Sequence, residues 1–442
     1  MSEDLITNIY NSFDPFRPLP AGDPVYVDCR AVRGDEDIFR ELGKKILRSA
    51  QPTCQLYTGH RGVGKSTELL RLKKHLEDHG CFVVYFPADQ EDIDPEDAQY
   101  TDILLACTRH ILEDLQDKAN PKPLLNWLKS RWQELKDLAL TEVTFDKLEI
   151  NAQIAQFAKL TANLRAVPSV RQKIREQVDT HTVSLLDALN EFITEAISKL
   201  PNGTSKLIVI ADNLDRIVPV MREDGRNNHD EIFLDRNEQL RALKCHVIYT
   251  VPISMVYSNR ATGLRDNYGN CQVLPMIMVH TPDNVVNQSG VEKLKEVIGK
   301  RVRFFSPTKA LDTDVFDQLE TLERLCITSG GHVREMMLLM QTAIDQIDDL
   351  PITAVAVQRA ITQARNTYRS QVDHQDWKKL AEVSVSKRIP NDDDYRNLLF
   401  TRCVLEYRCL DSNQEIHRWH DAHPLIKQID EFQEALRKLE EG

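Results

Sequence analysis

Residues 59–67, Gly59-His60-Arg61-Gly62-Val63-Gly64-Lys65-Ser66-Thr67, constrain this chain more than any others, because they match the pattern G-x-x-x-x-G-K-[ST]. An apolar strand over residues 54–57 runs into them, and residues 68–76, with Leu69, Leu70, Leu72 and Leu76, continue as a helix. Glycines at these positions let the backbone wrap until its N–H groups converge, and the helix N-terminus behind them adds partial positive charge. Such a loop is a phosphate cradle. Lys65 is placed to reach β- and γ-phosphates, and Ser66 to ligate Mg²⁺. A glycine-rich turn carrying Lys-Ser by chance would not account for the second motif at residues 206–215. The chain is therefore expected to bind a nucleoside triphosphate.

A chain of 442 residues can hold two or three domains and a substantial core. No apolar run approaches the roughly 20 residues of a membrane span, and the start Met1-Ser2-Glu3-Asp4-Leu5 lacks the basic and apolar regions of a signal peptide. A cytoplasmic location without membrane contact is expected. The nine cysteines, among them Cys29, Cys54, Cys107, Cys245 and Cys326, show no C-x-x-C pair, so they read as reduced core residues. A net charge of −12 argues against coating nucleic acid or anionic membrane by bulk electrostatics, and leaves a local basic patch open.

Residues 1–21 carry Pro15, Pro18 and Pro20 with little periodicity and read as a lead-in to a core over 22–281. The stretch Val25-Tyr26-Val27-Asp28 and the turn Val32-Arg33-Gly34-Asp35-Glu36-Asp37 precede an amphipathic helix over 38–47. Cys81-Phe82-Val83-Val84-Tyr85-Phe86 is a second buried strand, followed by a solvated acidic loop from Asp89 to Asp97 and a helix over 97–115. Residues 120–202 form an insertion. It holds an amphipathic stretch over 124–138 with Trp127 and Trp132, an alternation of Leu148, Ile150, Ala152 and Ile154 that fits strand or helix, and a helix over 183–200. The second decisive motif is Lys206-Leu207-Ile208-Val209-Ile210-Ala211-Asp212-Asn213-Leu214-Asp215. An apolar strand ending in Asp212 sets a carboxylate beside the P-loop, where it holds Mg²⁺, commonly through water. Apolar runs over 245–251, ending near Thr250, and over 271–279 make five strands.

Five strands carrying these features in this order resemble the core of AAA+/STAND ATPases of the origin-recognition type, and the resemblance spans about residues 26–370. It implies an α/β fold with a five-stranded parallel sheet of order 5-1-4-3-2, and ATP with Mg²⁺ as ligands. It makes Asp212, with Ser66, the metal-side pair. Fast AAA+ ATPases place Glu after this Asp as general base; here Asn213 follows, and Asp215 stands three residues on. The resemblance therefore implies slow hydrolysis in which Asp215 takes part. It offers Thr250 as sensor 1, beside the alternative that this hydroxyl bonds its own backbone. The turn over 32–37 becomes an adenine wall, without the Arg that commonly follows its Gly, or remains a plain connection to the helix. Of Arg260 and Arg265, the latter is the better candidate for a finger reaching a neighbour's γ-phosphate.

From about residue 282 four helical stretches, over 291–302, 315–327, 333–347 and 352–370, resemble the AAA+ lid. Within Ser329-Gly330-Gly331-His332-Val333-Arg334-Glu335 the resemblance makes Arg334 sensor 2, a phosphate contact from the lid. Met336, Met337 and Met340 read as helix core. Residues 371–442 show helices near 376–383 and 394–400, an apolar stretch over 403–407, a polar turn at 411–414, and a helix opening at Pro424. This order resembles a winged helix, the usual companion of origin-recognition-like ATPases. Its 11 Lys and Arg against 15 Asp and Glu disfavour duplex DNA as partner. His417, His420 and His423 lack a metal-site spacing. The resemblance implies an ATP-dependent switch with slow hydrolysis, acting with copies of itself or with an effector protein, in bacterial signalling or defence. A DNA-associated initiator or transposition-regulator ATPase and a non-hydrolysing ATP-binding scaffold are the alternatives.

Overall fold

The computed structural model describes residues 2–35, 37–131, 150–200, 204–222 and 225–441. Glu36 of the upstream turn, Trp132 with the rest of 132–138, and Leu148 of the alternating stretch lie outside the described residues. Strands β1 (Cys54–Thr58), β2 (Cys81–Pro87), β3 (Lys206–Asp212), β4 (His246–Thr250) and β5 (Gln272–Val273) form one parallel sheet in the order β2-β3-β4-β1-β5. This is the order expected, read from the opposite edge. Its strands are nearly continuous apolar runs because helices cover both faces. The register pairs Tyr57 with Thr250 and Pro87 with Asp212, so the ends of β1, β3 and β4 lie along one edge. Ligands of open α/β sheets bind at that edge.

The fifth strand is shorter than its apolar run. Pro275 has no N–H to donate, and the ladder stops after Val273. Beyond it, Leu274 N still donates to Thr58 O (2.8 Å), but Met276 N turns to Glu406 O (3.2 Å) and Met278 N to Val32 O (3.0 Å). One run thus joins the sheet, the C-terminal hairpin and the upstream turn.

In the insertion the alternating stretch is helical, Ile150–Ala166, and is followed by helices Pro168–Thr180 and Thr182–Ser198. Two arginines of the middle helix fasten it to the sheet domain. Arg175 bonds Asp102 (2.6 Å) and Asp97 (2.9 Å), while Arg171 bonds Asp97 (2.8 Å) and Asp94 (2.7 Å). Part of the acidic loop after β2 is therefore an anchor rather than a solvated run.

The four helices of the expected lid are Gln288–Phe305, Leu319–Thr328, Val333–Ile344 and Ala354–Gln371. The lead-in contributes a fifth: Ser2–Ser12 is helical, and Ile9 and Phe13 are buried in the cluster that holds Leu294, Met336 and Met340. The C-terminal unit has helices Asp376–Ser386 and Asp393–Phe400, an antiparallel hairpin β6 (Val404–Leu410) and β7 (Ile416–Ala422), and helices Pro424–Lys427 and Asp430–Glu440. Leu405, Tyr407 and Trp419 of this hairpin share a core with Tyr57, Val63 and Leu69. The hairpin is packed against the sheet beneath the P-loop.

Candidate functional site

Thr58 Oγ1 donates to Val251 O (2.6 Å), which ties the start of the P-loop to the end of β4. The loop then turns through Gly62 and Gly64, both at positive φ. A Cβ on Gly62 would stand 2.6 Å from Arg334 Cβ, so only glycine lets the lid come this close. A Cβ on Gly64 would meet nothing within 4 Å: this glycine faces open space and caps the helix Lys65–Asp78. Val63 O accepts from Arg33 Nη2 (2.9 Å), and Thr67 Oγ1 accepts from Leu19 N (3.1 Å). Side chains and neighbouring segments thus hold the loop in place at the N-terminus of the helix Lys65–Asp78, where partial positive charge favours an anion.

Lys65 is 5% exposed and its ammonium is enclosed. It donates to Gly59 O (2.8 Å) and His60 O (2.9 Å) and pairs with Asp215 Oδ2 at 2.9 Å. Asp215 is equally buried. Asp212, fully buried, accepts from Tyr85 Oη (2.8 Å) and Asn213 N (2.7 Å), and the Ser66 hydroxyl hydrogen-bonds to it. Burial, and then the neighbouring Asp215 carboxylate, push its pKa above the usual carboxylate range. A buried carboxylate beside a hydroxyl, with a second acid raising the charge density, is a hard-oxygen donor set that suits Mg²⁺.

Asn213, directly after Asp212, stands at φ 66°, and its Nδ2 donates to Asp89 Oδ1 (2.7 Å). Arg216 reaches Asp89 Oδ2 (2.6 Å). Thr250 is buried and its Oγ1 accepts from Leu214 N (2.9 Å); it secures the turn between the two acids and does not line the cavity. The hydroxyl thus bonds the backbone of the acidic turn rather than its own.

The space above these groups is a cavity of about 380 Å³, within the range of small-molecule sites. Gly62, Lys65, Ser66 and Asp215 line its floor, Tyr26 and Arg30 one wall, and Arg334 and Met337 of the lid the other. The upstream wall is made by residues 25–30 and Arg33; Gly34 of the turn instead backs onto Arg408. Arg334 N donates to Gly62 O (3.1 Å) and Arg334 Nε to Pro15 O (3.1 Å). Its guanidinium lies over Phe16, and burial, with Arg216 and Arg402 nearby, pushes its pKa down to about 10. Arg265 is exposed on the helix Ala261–Tyr268 and stands off the cavity, as does Arg260, which pairs with Asp235 at 2.6 Å.

Contacts between the loop and the C-terminal unit carried no signal in the sequence. His60, buried at the loop's second position, turns away from the cavity: its Nε2 accepts from Glu406 N (2.9 Å). Tyr407 Oη donates to Gly330 O (2.8 Å). Arg61 lies over the Phe400 ring at 3.9 Å. His420 and His423 are buried in the same region. The tip of the hairpin gathers Asp411, Glu415 and His417 in a spacing the linear sequence concealed, although Asp411 is already engaged with His417 (3.0 Å) and with the N–H groups of Asn413 and Glu415.

Among the described residues no helix is long and apolar enough to cross a membrane. No protein-family model matches the chain, and no curated protein is similar to it. Solved structures do align over its length. The ORC2 protein of Aeropyrum pernix, in ADPNP-ADP complexes, is 10% identical with a TM-score of 0.43, covering 98% of each chain. The Walker-type ATPase paby2304 of Pyrococcus abyssi is 13% identical with a TM-score of 0.42, covering 96% of this chain and 99% of its own. Cdc6p of Pyrobaculum aerophilum is 12% identical with a TM-score of 0.40, covering 97% and 98%. At these values they assign neither activity nor partner to this chain.

Proposed function

We propose that this chain is an ATP-dependent switch that hydrolyses ATP slowly. The observation that carries the reading is the Lys65–Asp215 pair on the floor of a cavity closed by sheet, lid and residues 15–19 of the lead-in. A lysine held there by one carboxylate and two carbonyls is a cation waiting for a stronger anion. When phosphate takes Lys65, Asp215 is left as a free carboxylate beside the reacting end, in place to orient a water and accept its proton. Asn213 cannot act as a base, and Asp89 is engaged by Asn213 and Arg216, so turnover is slow. Ser66 and Asp212 would hold Mg²⁺, which supplies charge neutralisation between β- and γ-phosphates. Arg334 binds the lid backbone to Gly62 and lines the cavity, so an added phosphate acts directly on the lid-to-core arrangement.

The partner is a second copy or an effector protein. Arg265, exposed and off the cavity, could reach a phosphate only in a neighbour's site. The C-terminal hairpin spends β6 on the P-loop and presents Asp411 and Glu415 at its tip, which favours protein contact over duplex DNA. Steady-state ATP hydrolysis over a protein-concentration series, with Lys65→Ala, Arg265→Ala and added duplex DNA, tests the reading. Slow turnover abolished by Lys65→Ala is expected. Strong stimulation by DNA would favour an initiator-type ATPase, and tight Mg²⁺-dependent binding without turnover would leave a nucleotide-gated scaffold.

A further inference from the structure

Arg61 is the one cationic side chain of the P-loop, other than Lys65, and its partners are unlike those of its neighbours. Arg216 is committed to Asp89, Arg334 to Pro15 O, and Lys65 to Asp215. Arg61 lines the cavity, yet its Nε and Nη2 are buried with no hydrogen-bond acceptor. Its guanidinium is braced face-on against Phe400 of the helix Asp393–Phe400, 3.9 Å away, an arrangement that fixes the plane of the group while leaving its edge free. Burial, and the nearby Arg402 and Arg216, disfavour the charge, and Asp215 is the strongest acid acting to hold it. A guanidinium stays charged, and buried donors without acceptors are costly; Asp215 attracts Arg61, but no acceptor lies within hydrogen-bond reach of Nε and Nη2.

Resting on the ATP-switch reading above, we propose that Arg61 is the ligand of the terminal phosphate, supplied by the P-loop of the same chain, and that Phe400 positions it. Three features converge on this. Asp215, which attracts Arg61, is the residue that holds Lys65, the group whose reach defines the β/γ end of a P-loop site. The guanidinium offers two donors in a fixed fork that matches a phosphate edge. Its brace comes from the C-terminal unit, so occupancy of the terminal phosphate position is felt there without a neighbouring copy. Arg61 thereby distinguishes triphosphate from diphosphate, and Phe400 is a positioning residue for it.

The test is calorimetric binding of ADP and of a non-hydrolysable ATP analogue, each with Mg²⁺, to the full chain and to Arg61→Gln, Phe400→Ala and Phe400→Trp. Charge-assisted hydrogen bonds of the kind assigned to Arg61 predict that Arg61→Gln weakens the analogue about 10- to 100-fold and ADP about 2-fold or less. Phe400→Ala should lose part of the same preference, and Phe400→Trp should restore it by keeping an aromatic face. Retained ADP binding shows that each variant is folded. Equal weakening of both ligands by Arg61→Gln, no weakening of either, or a preference unaffected by Phe400→Ala would overturn the proposal. A native chain that binds neither nucleotide would instead sink the switch reading itself.

Discussion

Replacing Asp215 by Asn separates the resting site from the filled one. Asp215 and Lys65 are both 5% exposed and 2.9 Å apart, so the substitution leaves an ammonium in the interior with only Gly59 O and His60 O as acceptors. Breaking one side of a buried pair costs about 3–5 kcal/mol, and the two carbonyls that remain place this case near ~3 kcal/mol. At about 2.1 cal/mol/K per residue the unfolding entropy of a chain this long is roughly 0.9 kcal/mol/K, so the melting temperature should fall by ~3 °C. Saturating Mg·ATP supplies Lys65 with a phosphate in place of the lost carboxylate, and removes the repulsion between that carboxylate and the phosphate. The deficit should then shrink to about 1 °C or less, and ATP should bind Asp215→Asn more tightly than the native chain, while turnover falls. Differential scanning fluorimetry with and without nucleotide, alongside calorimetric titration, reads both effects. An equal loss of stability in the two conditions, or weaker ATP binding, would refute the argument that phosphate displaces Asp215 from Lys65.

Gly62→Ala puts a methyl 2.6 Å from Arg334 Cβ at a positive φ, and should cost about 2–4 kcal/mol and loosen the lid, seen as faster amide exchange in Val333–Ile344. Arg175→Met leaves Asp102, 1% exposed, as an unpaired buried acid and should cost about 3–5 kcal/mol; the double variant with Asp102→Asn should recover most of it in chemical denaturation. Acid should weaken the fold below neutrality. His60 and His423 are pushed down to about 3, and His229 and His420 to about 4, chiefly by burial. A histidine whose folded pKa lies below its unfolded value of about 6.5 adds stability above that pH and loses it as pH falls toward the folded value. Each group then loses about 1.4 kcal/mol between pH 7.5 and 5.5, and the four together should lower the melting temperature by about 6 °C. A flat profile over that interval would contradict the burial of these rings as neutral groups.

The sheet was legible because each strand lies in an apolar run, three of them closed by a residue the motifs single out: Gly59 after β1, Asp212 on β3, Thr250 on β4. Strand order followed from the resemblance, and the observed pairing agrees with it. The N-terminal helix escaped notice because Pro15, Pro18 and Pro20 dominated the reading, although Leu5, Ile9 and Phe13 recur at four-residue spacing and bury one face. The truncation of β5 turns on Pro275, whose effect depends on which partner its neighbours find. Least legible was the bracing of the P-loop by the C-terminal unit. His60 and Glu406 lie 346 residues apart, and nothing local to either residue encodes a bond between them. The same holds for Arg61 over Phe400 and for the link between Arg334 and Pro15. Phosphate chemistry is written in contiguous residues, whereas the coupling of that chemistry to the rest of the chain is written in packing.

Isothermal titration of the full chain with ATP, in the presence and absence of Mg²⁺ and with Lys65→Ala in parallel, tests the central claim most directly. The structure predicts one ATP per chain, tighter with Mg²⁺ and lost in Lys65→Ala. Absence of binding to the native chain at millimolar ATP, or binding indifferent to Lys65→Ala, would contradict it.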